Sequence, residues 1–308
     1  MKNFAKVLLT LGLCLILVGL IILRSDEIAT VFNNYLSPNP VQSKLEKNEY
    51  YRDYDFMFVQ NTDDFTPNSY QDILNIYYTV INSGVDSFTF YCDKKYDNCL
   101  SDIQKLANNQ VLLSSINNYV HPFNSYSHIE TQYDSLGKVT ITTNKVYSKS
   151  NIEKINEKVD ELYKDLVKDN STLEDNIKNI HDYIINNNKY DSLRSDQNIH
   201  KYRSDNAYGP LFEGYAVCGG YTDLMQLFLE KMKIKSYRVS SDIHIWNAVN
   251  INNKWYHLDL TWDDPVADDN VDRLSHDYFL VDTDKLHNIE HTQHDFNQDV
   301  FLEFKKAN

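Results

Sequence analysis

The chain predicts an α+β fold in which a helix carrying a cysteine packs on an antiparallel sheet carrying a histidine and an aspartate. Three observations predict it. Apolar residues recur at helical spacing just after Cys218, from Tyr221 through Leu224, Met225, Phe228 and Met232. Ile243 to Ile251 and Lys254 to Leu260 read as strands, joined by Asn252-Asn253, a pair that tolerates the left-handed backbone of a two-residue hairpin turn. Ahead of both lie a smaller α/β pattern over residues 50–148 and an apolar run at the start of the chain.

The elements follow in chain order. Val7 to Leu23 is an unbroken apolar stretch with Lys2 and Lys6 before it and Arg24, Asp26 and Glu27 after it. It reads as a membrane-spanning helix at 1–24 with its N-terminus inside. No small-x-small cleavage pattern follows Leu23, so an uncleaved anchor is expected, and the rest of the chain is expected outside the cytoplasm at the cell surface. Cys14 counts as apolar filling, because Leu13 is wrong for a lipid-attachment motif. Residues 25–49, with Ser37-Pro38-Asn39-Pro40, read as a stalk.

The module at 50–148 is expected to hold a strand at Asp55 to Gln60, a helix at Tyr70 to Ile81, a strand at Ser87 to Cys92 and a helix at Leu100 to Ala107. Alternating strands follow at Ser127 to Asp134 and Lys138 to Tyr147, with Leu136-Gly137 near their turn. About a hundred residues can bury a core, so a separate domain is expected, with no recognisable site. A connecting helix at 149–170 shows Ile155, Val159, Leu162 and Leu166 at core spacing. Thr172 then caps a helix that turns Ile177, Ile180, Tyr183 and Ile184 inward and opens the last domain, 171–308.

The chemistry lies in that last domain. With Asn252-Asn253 as the turn, Ile251 faces Lys254, Trp246 faces Asp259 and His244 faces Thr261, so His244 and Asp259 share one face on a cross-strand diagonal. An imidazole held by a carboxylate has its tautomer set, leaving the other nitrogen for a thiol. Cys218, at the positive end of its helix, is that thiol. Backbone N–H groups and the helix dipole favour a thiolate there, and the Cys218 N–H can donate to an oxyanion. Gly219 and Gly220 are expected to leave the approach open. Tyr208 is a candidate second oxyanion donor. Trp246 and Trp262 are core or cleft wall, as is Trp255, and Asn247 falls on the face opposite His244. Asp259 could also simply cap the turn that runs toward Asp263-Asp264-Pro265.

These residues carry a resemblance. AYGPLFEGYAVCGGYTDL around Cys218, HIWNAV around His244 and WYHLDLTWDDP around Asp259 resemble, in order, the blocks of the transglutaminase-like superfamily of papain-type thiol enzymes, specifically its bacterial extracytoplasmic branch. HDYIINNNKYD at 181–191 is similar to the helix that opens that domain, and HDYFLVDTDKL at 276–286 to a closing strand. HIWN stands where HAWN is usual, and Gly219 where a bulkier polar residue is common. The resemblance implies a Cys-His-Asp triad that forms a thioester with an amide or acyl substrate. Three functions stay open: an amide hydrolase acting on protein or cell-wall peptide, a cross-linking acyl transferase, and a binding module without turnover.

Other features bound the reading. A net charge of −14 disfavours nucleic-acid partners. Cys92 and Cys99 flank a loop short enough to close as a disulfide in an oxidising compartment, leaving Cys218 unpaired. His287, His291 and His294, with Asp284 and Asp295 nearby, would line up for Zn2+ only on a helix. They read instead as a solvated C-terminal segment, and neither metal nor cofactor is expected.

Overall fold

The computed structural model describes residues 44–264, 274–290 and 292–305. The apolar run at 7–23 and most of the expected stalk lie outside them. Among the described residues no helix is long and apolar enough to cross a membrane.

The first part of the chain pairs three helices with a three-stranded antiparallel sheet. Helix α1 (Tyr70–Ser83) starts at Ser69, whose side chain accepts from the Asp72 N–H, and stops at Gly84, whose left-handed φ of 76° a larger residue would resist. Strand β1 (Ser87–Tyr91) follows, then α2 (Cys99–Ala107), α3 (Gln110–Asn118), β2 (Tyr126–Tyr133) and β3 (Lys138–Lys145). The sheet order is β1-β3-β2. Cys92 and Cys99 are disulfide-bonded across the loop entering α2, with Cα atoms 5.8 Å apart.

Two expectations for this part need correction. Asp55 to Gln60 forms no strand; Phe56 N–H bonds back to Val59 O, and the buried Phe56 packs on Tyr119 and Tyr237. Its apolar pattern reflects burial rather than sheet pairing. Helix α3 was not expected, being only 9 residues long and capped by Asn109, whose side chain accepts from Leu112 N–H.

The second part begins with α4 (Lys149–Leu166), which turns Ile155, Val159 and Leu162 inward. A capping box formed by Thr172 and Asp175 starts α5 (Leu173–Asn186), with Ile177, Ile180 and Ile184 buried. Short strands β4 (Lys189–Tyr190) and β5 (Tyr215–Ala216) pair in parallel, with helix α6 (Ser192–Gln197) between them. Helix α7 (Cys218–Lys231) then packs on a second antiparallel sheet of β6 (Ser236–Ser240), β7 (Ile245–Ile251) and β8 (Lys254–Leu258), ordered β6-β7-β8. The hairpin has the expected register, Ile251 opposite Lys254 through Asn247 opposite Leu258. Asn252 and Asn253 take φ of 53° and 64° at its turn. The expected closing strand at 276–286 shrinks to one bridge, His257 to Val281, before helix α8 (Thr283–Ile289).

One apolar cluster runs through both parts. Phe56, Tyr78 and Tyr119 from the first share it with Tyr237, Trp246 and Phe301 from the second. Two buried arginines cross the same boundary. Arg52 bonds Tyr119 O and pairs with Glu230 at the end of α7. Arg238 on β6 reaches Asp223 of α7 at 2.8 Å, Ser125 Oγ at 2.7 Å and Asn117 O at 2.5 Å. Tyr147 OH donates to the other Asp223 oxygen at 2.6 Å. The first part therefore helps to hold the helix that carries Cys218.

Arg238→Met should remove the buried cation that pairs with the buried Asp223 carboxylate. The expected loss is about 3–5 kcal/mol of unfolding free energy, read as a lower urea midpoint. A midpoint equal to that of the unsubstituted protein would show that the pair does not brace α7.

Candidate active site

Cys218 is the first residue of α7, after Val217 in an extended conformation, and its thiol is free and half-buried. Two backbone contacts place it. The parallel β4-β5 pairing holds Tyr215 and Ala216, and Val217 N–H donates to Ser204 O at 2.8 Å. Ser204 is in turn fixed by its hydroxyl on buried Asp191 at 2.6 Å. As a first-turn group, the Cys218 N–H has no acceptor within its own helix.

The two glycines after Cys218 serve a purpose different from the expected one. A Cβ on Gly219 would sit 2.7 Å from Asp205 O, and one on Gly220 would sit 2.3 Å from Ser204 O. They admit the 204–205 backbone against the helix start rather than leaving a path for substrate.

His244 stands just before β7 and Asp259 just after β8, so the hairpin register delivers them to one place. His244 Nε2 lies 2.5 Å from Asp259 Oδ2, both groups buried. That bond leaves Nδ1 as the nitrogen available to sulfur, and Cys218 adds to the groups that favour the protonated ring. The imidazole stacks on Trp246, centroids 5.6 Å apart. Burial alone would lower its pKa. The charge and hydrogen bond of Asp259, together with Cys218, outweigh burial and raise it to about 10. Burial pushes the Asp259 carboxyl upward, but His244 and His294 together bring it well below the ordinary range.

Asp259 does two jobs at once. Its Oδ1 caps the following turn, accepting from Thr261 N–H at 2.9 Å and Trp262 N–H at 3.3 Å. Its Oδ2 accepts from His244 and also from His294 Nε2 at 2.8 Å. His294 is thus a site residue, not part of a solvated segment: it is fully buried and lies beyond the end of α8, so it shares no helix face with His287. His291 lies outside the described residues. No local pattern marks His294, because it arrives from a loop 35 positions after Asp259.

The remaining candidates are placed as follows. Trp246 is buried, its Nε1 donating to His257 Nδ1 at 2.9 Å, and Trp262 is half-buried beside Tyr278 and His294. Asn247 points away from His244 into α7, donating to Thr222 O and Gln226 Oε1, each at 3.1 Å. Tyr208 packs on Phe212 and under the Arg203 guanidinium. Tyr190, passed over in the sequence, has its phenol pKa raised first by burial and then by the charge of Cys218.

Among the described residues, two groups bring metal-ligand atom types within 4.8 Å of one another, His181 with Asp182 and His276, and His244 with Asp259 and His294. In the first, Lys178 Nζ sits 2.8 Å from both His276 Nε2 and Asp182 Oδ2 and supplies the positive charge itself. In the second, the ligand atoms are joined by hydrogen bonds of 2.5 and 2.8 Å.

Two outcomes test this geometry. Gly220→Ala should cost about 1–3 kcal/mol by forcing Ser204 away from the helix start, measured by urea unfolding; an unchanged midpoint would contradict the close approach. His244 is raised from an unfolded value of about 6.5 to about 10. Its contribution to stability should therefore be complete below the lower value and disappear as pH rises through the upper one. Unfolding free energy followed over that window should fall with pH in the unsubstituted protein and fall less in His244→Ala.

Residues 160–260 match the family model of the transglutaminase-like superfamily. Among curated proteins none matches the chain. Similar solved structures include one described as a TGase, at 12% identity and TM-score 0.34, covering 44% of this chain and 45% of the other. Another is described as a candidate cysteine protease from Cytophaga hutchinsonii, at 15% identity and TM-score 0.28, covering 44% and 61%. This chain thus spans less than two thirds of either structure's length. Cys218, His244 and Asp259 all fall inside the matched segment, and the chain carries a transglutaminase-like domain at residues 160–260.

Proposed function

We propose that this protein is a membrane-anchored thiol enzyme that acts outside the cytoplasm on amide bonds of protein or cell-wall peptide, with hydrolysis as the favoured outcome. The observation that carries the reading is the His244 Nε2 to Asp259 Oδ2 bond at 2.5 Å, on a ring whose protonated form is favoured also by Cys218, the free thiol at a helix start. The reaction uses what each group offers. The Cys218 sulfur attacks the substrate carbonyl carbon, and the charge arriving on oxygen is met by the Cys218 N–H. His244 passes its proton to the departing amine as the C–N bond breaks, leaving a thioester. A water that gives its proton to His244 then cleaves the thioester, releasing the acid and restoring the thiol.

Two features support the placement. The apolar stretch at 7–23 with lysines before it fits an anchor whose bulk faces outward. The Cys92–Cys99 bond fits an oxidising compartment and leaves Cys218 as the free thiol among the described residues.

Mild alkylation near neutral pH should modify Cys218 faster than a model thiol, and His244→Ala should slow it at least about tenfold; equal rates would sink the thiol–imidazole pairing. A glutamine-containing protein offered with a labelled primary amine separates the outcomes. Released ammonia or new chain termini without incorporated label is expected. Incorporated label would instead make the enzyme an acyl-transferring cross-linker, and neither product would leave a binding module.

A further inference from the structure

Asp259 is the point on which the site balances, and His294 holds it from the side that His244 does not. The His294 ring is fully buried and bridges two carboxylates, with Nε2 2.8 Å from Asp259 Oδ2 and Nδ1 2.9 Å from Glu290 Oε2. Its orientation is over-determined. Tyr278 stacks on it at 5.4 Å, Trp246 meets it edge-on at 4.8 Å, and Trp262 lies 5.7 Å away. Glu290 is fixed by the backbone N–H groups of Thr292 and Gln293, at 2.7 and 2.9 Å. The same loop also meets the strand entry that bears His244. Ser241 Oγ donates to Gln293 O at 2.6 Å and accepts from His244 N–H at 3.2 Å.

We infer that His294 is a positioning residue of the active site, an outer imidazole that clamps Asp259 Oδ2 so that the carboxylate meets His244 in the one orientation that leaves Nδ1 toward Cys218. The inference rests on the thiol-enzyme reading above. A carboxylate with only its two Oδ1 backbone donors could swing about its Cα–Cβ bond, and the line of the Oδ2 to His244 bond would swing with it. The second imidazole removes that freedom without touching substrate. His294 lies outside residues 160–260, on the loop that follows α8.

The test uses the full chain and reads alkylation of Cys218 at several pH values, with folding followed by circular dichroism. His294→Gln keeps an amide N–H where Nε2 stands and should label within about threefold of the unsubstituted rate. His294→Leu and His294→Asn leave Asp259 Oδ2 without that donor and should label about 10- to 100-fold more slowly while folded, the range for one hydrogen bond to a charged group. A structural role alone would lower thermal midpoints yet leave the folded proteins labelling at the original rate, and that result would overturn the inference. Unfolding of all three variants, Gln included, would likewise make His294 a core residue only. His244→Ala in the same assay keeps the two readings apart. If it labels like the unsubstituted protein, the thiol–imidazole pairing itself has failed; if it is slow while His294→Leu is not, only the clamp has.

Discussion

The carboxylate of Asp259 is the constraint on which the site depends. It is buried, where an unpaired charge would be expensive, and it escapes that cost by accepting from two backbone N–H groups and two imidazoles. The four donors come from three separate commitments of the chain: the turn after β8, the strand entry at His244 and the C-terminal loop at His294. Placing one carboxylate therefore locks three segments together, and the imidazole that faces Cys218 inherits their rigidity.

A contrast within the same cluster shows how environment divides histidines into roles. His257 is as buried as His244 but meets no carboxylate: Trp246 Nε1 donates to its Nδ1, and its Nε2 lies 3.0 Å from Thr283 Oγ1. Burial, with neighbouring histidines adding to it, pushes its pKa well below the usual value. It is a neutral spacer that orients the Trp246 indole, on whose face His244 stacks. A second buried imidazole, His181, ties α5 to Asp263 at 3.1 Å, and Asp263 in turn accepts from Tyr278 N–H at 3.0 Å. Through it the opening helix of the domain fixes the loop that follows Asp259.

Residues 50–148 take their meaning from the same economy of burial. Helix α7 has few exposed positions, so it needs neighbours on nearly every side, and the second sheet covers only one of them. The first part of the chain supplies another through Tyr119, Asn117 and Ser125, with Arg52 and Arg238 crossing between. An arginine buried in such a seam makes sliding costly, because any shift strands a charge. The cysteine at the helix start is held from behind by residues far from the chemistry.

Local pattern made part of this legible. The left-handed tolerance of Asn252-Asn253 set the hairpin register, and the register by itself brought His244 beside Asp259. The capping box at Thr172 and the apolar spacing after Cys218 marked their helices for equally local reasons. What the chain could not disclose is whatever depends on segments distant in sequence meeting in space. The apolar residues at 56–59 looked like a strand because a short apolar run reads the same whether it pairs in a sheet or is merely packed against the core. The glycines after Cys218 looked like open space until the 204–205 backbone filled it. His294 looked solvated because a lone polar residue in a loop carries no periodicity. The sequence by itself determined the reacting groups and the hairpin that pairs two of them, since turn chemistry and strand alternation act over a few residues. Only the tertiary structure decided what surrounds them, because burial of a charge is satisfied by whichever donors the folded chain brings near.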